Sequence, residues 1–285
     1  MVFVEYEMDD GKQGHIDVKK LLLSLALIVL ISVYSSTGYT ELWKNLANGI
    51  EYRLFPINSG VGNLHIVKID PTQAKLTLLL ASEHDKRLRT AAQWCEEYNL
   101  IAAINAGMFQ GDYLTNVGYL KNGSYIQNKR WKSQYKSVLA FDPTGSGLPS
   151  AIMVDVENHS DLRNIHDYAS VIQNLRLMKG RGVNVWSKSD RKWSEAAVGM
   201  DKGGHVLFVF SRYPFTMREF NEVIKSLDLG VVSMMHVEGG PLASLSIRAK
   251  DVMIDLTGSY ESDVHPDDTN NIQWPIPNII GVRVK

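Results

Sequence analysis

A chain of 285 residues with 45% hydrophobic side chains is long enough to bury a substantial core, in one large domain or two small ones. Its formal net charge of -1 excludes a general attraction to nucleic acid or to an anionic membrane, so any recognition of a charged partner must be local. The single cysteine, Cys95, excludes an internal disulfide, and its helical surroundings favour a packed core thiol over a nucleophile.

The first predicted element is an apolar run at residues 21–33, which follows two lysines and precedes small polar residues. This layout is typical of a signal peptide, although extension of the run through Tyr34 would make it an uncleaved membrane anchor. A buried core helix is disfavoured because the run has no polar face. We therefore expect a signal peptide or anchor in residues 1–38, one domain in residues 39–285, and an extracytoplasmic location for that domain.

Ten short runs beyond residue 38 are rich in β-branched residues and are bounded by glycine, proline, asparagine or aspartate, so they predict strands. These runs are residues 51–57, 64–69, 75–81, 100–104, 137–141, 151–156, 196–200, 205–210, 231–237 and 279–284. Segment 142–149 is predicted to be a loop, and segment 259–277 a long polar connection that either covers a site or is mobile.

Two helices are predicted from capping boxes: Thr90 with Gln93 begins one, and Thr216 with Glu219 begins the other. Each helix leads into a predicted strand that ends in a polar residue followed closely by glycine. The two units are either an internal pseudo-repeat that brings both turns to one side of a sheet or a coincidence of common helix–strand units. The pattern predicts an α/β fold of the mixed α+β type. We expect a single domain with a mixed β-sheet core flanked by helices, behind the N-terminal apolar helix.

The turn after run 231–237 has the features of a site. Glu238 places a carboxylate at a strand end, Gly239 and Gly240 let a ligand approach the main chain closely, and Pro241 forbids simple continuation of the strand. A tight turn with an outward, solvated glutamate explains the segment equally well when it is considered alone.

Together with the turn at 105–109, this segment resembles the phosphodiester glycosidase family. Asn-Ala-Gly-Met-Phe at 105–109 is similar to the family's Asn-Gly-Gly-Tyr-Phe-like turn, and residues 237–244 are similar to its Leu-Asp-Gly-Gly-Gly-Ser-like turn. The resemblance covers roughly residues 60–285. It implies hydrolysis of a sugar phosphodiester at the anomeric carbon, through an oxocarbenium-like transition state that expels a phosphate monoester.

Three positions depart from the family pattern: Ala106 replaces a glycine, Met108 replaces an aromatic residue, and Glu238 replaces an aspartate. The added methylene of Glu238 moves the carboxylate by about a bond length, and a misplacement of about 1 Å can cost about a hundredfold in rate. Either the pocket is reshaped around glutamate, or the substrate and mechanism differ, or activity is lost. The alternatives to an enzyme are therefore a non-catalytic glycan-binding or exopolysaccharide-associated module and a structural envelope protein.

The implied reaction needs a carboxylate, hydrogen bonds to sugar hydroxyls, and donors or cations for the phosphate. Glu238 is predicted to be the general base or nucleophile, with a pKa raised by burial at the strand end. His236, two positions earlier, is predicted to share its face and to hold the carboxylate or shuttle a proton; the alternative is a satisfied core histidine. Asn105 is predicted to bind a sugar hydroxyl, unless it only shapes its turn.

The predicted substrate-binding residues lie in the two turns and in two arginine-bearing segments. They are Gly107, Phe109, Gly239, Gly240 and Ser244 in the turns, and Gln173, Arg176 and Arg212 outside them. The planar fork of arginine suits a phosphate, although most arginines are solvated surface residues. Arg212 also lies close to the start of the second helix, whose free main-chain N–H groups can receive an anion.

No cofactor and no metal is predicted, because the histidines lack paired-ligand spacing and there is no second cysteine. Asp263, Asp267 and Asp268 are better explained as a charged surface loop than as calcium ligands. The sequence thus predicts an exported hydrolase whose partner is a glycan or sugar-phosphate substrate in the envelope or outside the cell, without nucleic acid. Membrane contact is expected only through an uncleaved N-terminal segment, and the sequence does not specify an oligomeric state.

Overall fold

The computed structural model describes residues 42–57, 62–158 and 162–285. The predicted signal or anchor segment and the predicted boundary at residue 38 lie outside these residues. Within them, no helix combines the length and the apolar character that crossing a membrane requires.

The described strands, numbered β1 to β18 in chain order, form three sheets. The first sheet has the spatial order β1 (Lys44–Ala47), β2 (Ile50–Ile57), β3 (Gly62–Ile69), β14 (Val206–Phe215), β13 (Trp193–Asp201), β15 (Val231–Gly239), β11 (Arg176–Lys179) and β12 (Val183–Asn184). The second has the order β17 (Val252–Thr257), β16 (Ser244–Ala249), β5 (Ala102–Asn105), β18 (Asn278–Val284) and β4 (Ala74–Leu80). The third has the order β7 (Tyr125–Asn128), β6 (Leu120–Asn122), β10 (Tyr168–Asn174), β8 (Ser137–Pro143) and β9 (Ala151–Asp155).

Both predicted helices are confirmed, and so are their capping boxes. Helix α1 is Ala91–Tyr98 and helix α2 is Met217–Ser226. In each, the N-cap threonine hydroxyl accepts the main-chain N–H three residues later, and the side chain at that later position accepts the N-cap N–H. This exchange satisfies main-chain donors that the first turn of a helix leaves unpaired, which explains why the two starts could be located from sequence. The ten predicted strands also coincide with observed ones.

The prediction of a mixed sheet flanked by helices is wrong on two points, because every pairing among the described strands is antiparallel and strands far outnumber helices. The sheets are antiparallel because a third strand lies between the two strands that each helix joins. Helix α1 joins β4 to β5, but β18 lies between them and pairs antiparallel with both. Helix α2 joins β14 to β15, and β13 lies between them in the same way. The two strands of each crossover run parallel without touching, since a third strand separates them.

The three sheets pack their apolar faces against one another to form the main core. Its fully buried members include Phe208 and Val237 from the first sheet, Ile104 and Ile280 from the second, and Leu139 from the third. Burial of each such side chain contributes about 1.5–3 kcal/mol. The core therefore fixes where β5 and β15 end, and the two predicted turns follow at those ends.

A smaller cluster lies under α1 and contains the single cysteine. Cys95 is buried with Trp94, Leu100 and Ile279, and its burial raises the pKa of the thiol to about 12. A thiol with that pKa is an inert packing group at physiological pH. The prediction of a packed core cysteine is confirmed.

Candidate active site

Glu238 lies near the end of β15, where pairing with β13 is irregular. His236 pairs with Ala197 and Glu238 pairs with Ala196, so Val237 is an extra residue on β15. Such a β-bulge interrupts the alternation of side chains and re-aims the ones beside it. Strict alternation therefore does not place His236 and Glu238 on a common face. Their charges nevertheless act on each other, since Glu238 raises the pKa of His236.

His236 forms a buried pair with a residue that the sequence did not single out, Glu195 of β13. The Nδ1 atom of His236 lies 2.6 Å from Oε1 of Glu195, which is 1% exposed. The indole of Trp193 donates to the other carboxylate oxygen at 2.7 Å and meets the imidazole edge-on. Burial alone lowers the pKa of His236, but the charge of Glu195 and the hydrogen bond to it outweigh burial, so the pKa is raised. The imidazole is thereby oriented and biased towards its charged form.

Glu238 itself is 7% exposed, and burial raises its pKa to about 7. The charge of His236 and the Gly239 N–H, which donates to Oε1 at 3.1 Å, oppose this rise, whereas Glu261 and Glu195 reinforce it. Among the described residues, the Gly239 N–H is the sole hydrogen-bond donor to this carboxylate. A carboxyl group with a pKa near neutrality exists in both protonation states at working pH, which suits it to transfer protons.

The two glycines after Glu238 are each enclosed by a side chain. A Cβ on Gly239 would come within 2.8 Å of the Trp193 ring, and a Cβ on Gly240 would come within 2.6 Å of the Glu261 carboxylate. Gly240 also has a φ of +62°, which side-chain-bearing residues rarely adopt. The space that was predicted to admit a ligand at these glycines is occupied by Trp193 and Glu261. The Glu261 carboxylate thus joins those of Glu195 and Glu238 near the turn.

Asn105 connects the two predicted turns. From the end of β5, its Nδ2 donates to the carbonyl oxygen of Leu242 at 3.0 Å, and its Oδ1 accepts the N–H of Ser244 at 2.8 Å. The Ser244 hydroxyl is also directed inward and donates to the Leu242 carbonyl. Asn105 therefore holds the main chain that follows Glu238, and both Asn105 and Ser244 fix the shape of that turn.

Gly107 lies beside two buried amides that lack a complete set of partners. A Cβ on Gly107 would come within 2.5 Å of Asn116 Oδ1 and 2.6 Å of Asn174 Nδ2. Neither amide atom has a hydrogen-bond partner among the described residues, although both side chains are fully buried. Leaving such an atom unpaired costs about 1–3 kcal/mol, so a buried water that supplies one donor and one acceptor would stabilise the pair. The sequence carried no local signal for either asparagine.

This amide pair lies next to the strand of His236. Leu175, the residue after Asn174, accepts the main-chain N–H of His236 at 2.9 Å. Phe109, predicted to bind substrate, is half-buried beside Gly107 and packs against the ring of Tyr113. Residues packed against the turn at 105–109 therefore also contact strand β15, which leads into the turn at 239–242.

The three predicted phosphate-side residues do not join this cluster. Gln173 makes four hydrogen bonds to main-chain groups of neighbouring segments. Arg176 pairs with both carboxylate oxygens of Asp155 at 2.7 Å and with Glu157. Arg212 pairs with Asp268 and donates to two carbonyl oxygens. These side chains are engaged by protein partners, and their role in substrate binding stays a prediction.

Within the described part of the chain, no group of three or more histidine, cysteine, aspartate or glutamate side chains is arranged to hold a metal ion. In the aspartate-bearing loop, Asp267 accepts hydrogen bonds from Thr269 and Asp268 pairs with Arg212.

Sequence comparison identifies a family model, phosphodiester glycosidase, that matches residues 98–283. No curated protein is significantly similar to the chain in sequence. Among solved structures, the catalytic domain of zebrafish N-acetylglucosamine-1-phosphodiester alpha-N-acetylglucosaminidase, auto-inhibited by its pro-peptide, is 12% identical with a TM-score of 0.59, and 85% of each chain is covered. A hypothetical protein from Synechocystis is 14% identical with a TM-score of 0.61, covering 87% of this chain and 64% of the other. At these identities the structural likeness shows a shared fold.

Proposed function

Because this chain belongs to the phosphodiester glycosidase family, we propose that it is an exported hydrolase that cleaves a glycosyl phosphodiester in an envelope or extracellular glycan. The family supports a glycosidase-type hydrolase, and the finer assignment rests on the site. The observation that carries it is Glu238, a buried carboxyl group with a pKa of about 7 beside the Glu195–His236 pair.

Glu238 supplies the carboxylate that the reaction needs. In its ionised form it either activates a water or attacks the anomeric carbon, and in both cases its negative charge stabilises the oxocarbenium-like transition state. The leaving phosphate has a second pKa of about 6, so it departs near neutrality without a strong general acid. The pKa of Glu238 lies near neutrality, as an acid–base group requires. This supports a site reshaped around glutamate rather than a site that has lost its activity.

His236 is placed to assist the phosphate side of the reaction. Its Nδ1 is engaged by Glu195, and its raised pKa favours the imidazolium, which stabilises a departing phosphate by charge and can return a proton to it.

Export follows from the apolar run at 21–33 and its flanking lysines. We propose residues 1–38 as the signal or anchor and residues 39–285 as the enzyme domain, which places the site on the far side of the cytoplasmic membrane.

Release of free sugar from the methyl phosphodiester of N-acetylglucosamine-1-phosphate tests the proposal. We expect Glu238→Gln to lower kcat/KM about a thousandfold or more, since a positioned acid–base group contributes about 10²–10⁴. The matched control is Glu96→Gln, the same change at an exposed helix position, which is expected to keep the wild-type rate. Equal rates for wild type and Glu238→Gln would refute the assignment.

The second candidate is a glycan-binding module that keeps the pocket without catalysis. It is favoured by the glutamate at the position where the family pattern has aspartate. Calorimetric binding of glycan with no release of sugar over a long incubation would support it, and any turnover lost on mutation of Glu238 would exclude it.

A further inference from the structure

A stacked aromatic pair lies on the surface beside the third sheet. The rings of Tyr119, just before β6, and Trp131, in the loop after β7, lie 4.7 Å apart with an angle of 11° between their planes. Trp131 remains 41% exposed. A tryptophan held in a stack presents a flat apolar surface whose orientation is fixed before any ligand arrives.

The same stretch is basic within a nearly neutral chain. Between residues 119 and 136 there are five lysines and arginines and no aspartate or glutamate. Lys129 and Arg130 are exposed and form no ion pair within the described parts of the chain. Since the whole chain has a net charge of -1, this concentration of positive charge provides the local attraction that recognition of an anion requires.

Gln173 fixes this surface from the buried side. Its Oε1 accepts the N–H groups of Tyr119 at 3.2 Å and Lys132 at 3.0 Å. Its Nε2 donates to the carbonyl oxygens of Lys132 at 2.9 Å and Tyr135 at 2.8 Å. The side chain is 1% exposed. A single buried amide therefore ties together the two segments that carry the aromatic pair.

Gln173 also connects the aromatic pair to the catalytic cluster. The next residue, Asn174, carries the unpaired amide beside Gly107, and the one after it, Leu175, binds the main chain of His236. Consecutive Cα atoms are about 3.8 Å apart, so the Cα atom of Gln173, which anchors the aromatic pair, lies within about 8 Å of the Cα atom of Leu175.

We propose that Tyr119, Trp131, Lys129 and Arg130 form a second subsite that binds a phosphate-bearing stretch of glycan chain. The apolar C–H face of a sugar ring packs on the exposed indole, while the two cations pair with phosphate oxygens. The inference rests on the proposed function and deepens it: the substrate is a repeating anionic glycan, held by one unit while another is cleaved. Aromatic rings with cations also suit single-stranded nucleic acid, but the anchoring beside a glycosidase site favours the glycan.

The test measures binding by calorimetry to phosphorylated maltoheptaose and to the same oligosaccharide after phosphatase treatment. The full chain carrying Glu238→Gln is used as the parent, so that catalysis does not interfere. We expect Trp131→Ala to weaken binding of both forms about tenfold, the loss typical of a truncated aromatic anchor. Lys129→Gln combined with Arg130→Gln should weaken binding of the phosphorylated form alone, and added salt should reproduce that loss.

A matched control is Lys75→Gln combined with Arg283→Gln, which removes two exposed cations of the second sheet and is expected to leave binding unchanged. Equal binding by the Trp131→Ala variant and its parent would overturn the inference, as would tighter binding of oligothymidylate or of phosphatidylglycerol vesicles than of the glycan. Glycan binding that depends on Trp131, in a protein whose wild type hydrolyses no sugar phosphodiester, would sustain the subsite and refute the proposed function. The two claims therefore fail separately.

Discussion

Two clusters of charged side chains differ in how completely their charges are neutralised. In the first, Arg89 contacts Asp85 through both terminal nitrogens and Glu97 through Nε, and its guanidinium lies 4.7 Å from the centre of the Trp94 ring. In the second, the charges of three glutamates, Glu195, Glu238 and Glu261, act on a single histidine, His236. The first cluster joins the last turn of α1, through Glu97, to the loop before the helix, and the second lies at the turn after β15.

The difference shows in the pKa values of the carboxyl groups. Hydrogen bonds from Arg89 are the main cause that lowers the pKa values of Asp85 and Glu97, whereas burial raises that of Glu238. A neutralised cluster stabilises the fold, while a buried carboxyl group left short of partners costs stability and persists where its chemistry is needed. A cluster of charged side chains therefore does not by itself indicate a functional site. A buried carboxyl group that lacks enough cationic partners is the more informative sign.

The largest effect is expected from removing the buried carboxyl group of Glu238, and it is an effect on stability at alkaline pH. The pKa of Glu238 is about 7 in the fold and about 4.5 ordinarily, so the folded state holds its proton more tightly and loses stability as the pH rises from about 4.5 to about 7. The complete loss is about 3 kcal/mol. Glu238→Gln should remove it, so that urea unfolding at about pH 8 gives a free energy of unfolding about 3 kcal/mol above that of wild type.

The difference between Glu238→Gln and wild type should disappear below about pH 4.5, where the wild-type carboxyl group is protonated in both states. The Glu96→Gln control should follow wild type throughout. Identical urea midpoints for Glu238→Gln and wild type at alkaline pH would show that the carboxyl group is not strained by burial.

The next largest effect concerns Glu195, which acts through the histidine. Glu195→Gln keeps an acceptor for the Trp193 indole but removes the charge that raises the pKa of His236. We expect kcat to fall about a hundredfold and the limb of the pH–rate profile that reports His236 to move to lower pH. Glu219→Gln, a like change in a capping box that accepts either residue, serves as the control. A profile that keeps its shape would remove Glu195 from the mechanism.

Breaking the neutralised cluster should harm stability and leave catalysis intact. Arg89→Ala removes the packing against Trp94 and leaves Asp85 and Glu97 without their cation, so we expect a loss of about 2 kcal/mol in the free energy of unfolding. Thermal and urea unfolding measure the loss, and hydrolysis at a temperature well below the melting point is expected at the wild-type rate. Arg89→Lys keeps the charge but loses the planar guanidinium, so its free energy of unfolding should lie between those of wild type and Arg89→Ala. A fall in kcat without a fall in stability would contradict the assignment of the Arg89 cluster to stability alone.

The smallest effect is expected at acid pH and has the opposite sign. Because the pKa values of Asp85 and Glu97 are lowered in the fold, their contribution to stability is present above their ordinary values and is lost as the pH falls through the lowered ones. Both groups are exposed, so salt should weaken the contribution. Asp85→Asn should flatten the acid side of the stability curve and leave the alkaline side unchanged. A change on the alkaline side would show that the two clusters are coupled.

What the sequence predicted correctly was local. The capping boxes at Thr90 and Thr216 need only four consecutive residues, and both helices begin where those boxes predict. The repeated helix–strand pattern left open whether the two turns meet or only resemble each other by coincidence, and the bonds of Asn105 to the main chain after Glu238 show that they meet. The antiparallel sheets escaped prediction because the strand that separates each helix-linked pair comes from a distant part of the chain.

The site residues that were missed depend on contacts between distant segments. Glu195 lies 41 residues before His236, and nothing next to it in sequence marks it as a partner. The protein partners of the predicted phosphate-binding arginines could not be foreseen for the same reason: Asp155, which pairs with Arg176, lies 21 residues away. Which arginine is free and which carboxylate is confined is decided by the packing of strands.

The position of β18 has a consequence for the order of folding. This strand lies inside the second sheet, between β4 and β5, although it is made after every residue of the turn that follows β15. Until Asn278–Val284 have emerged from the ribosome, β5 lacks a neighbour on one side, and Asn105 at its end has no fixed strand from which to hold the turn. The candidate site thus depends on a segment made long after its own residues, and a chain that stops short of residue 278 is expected to carry the site in sequence without assembling it.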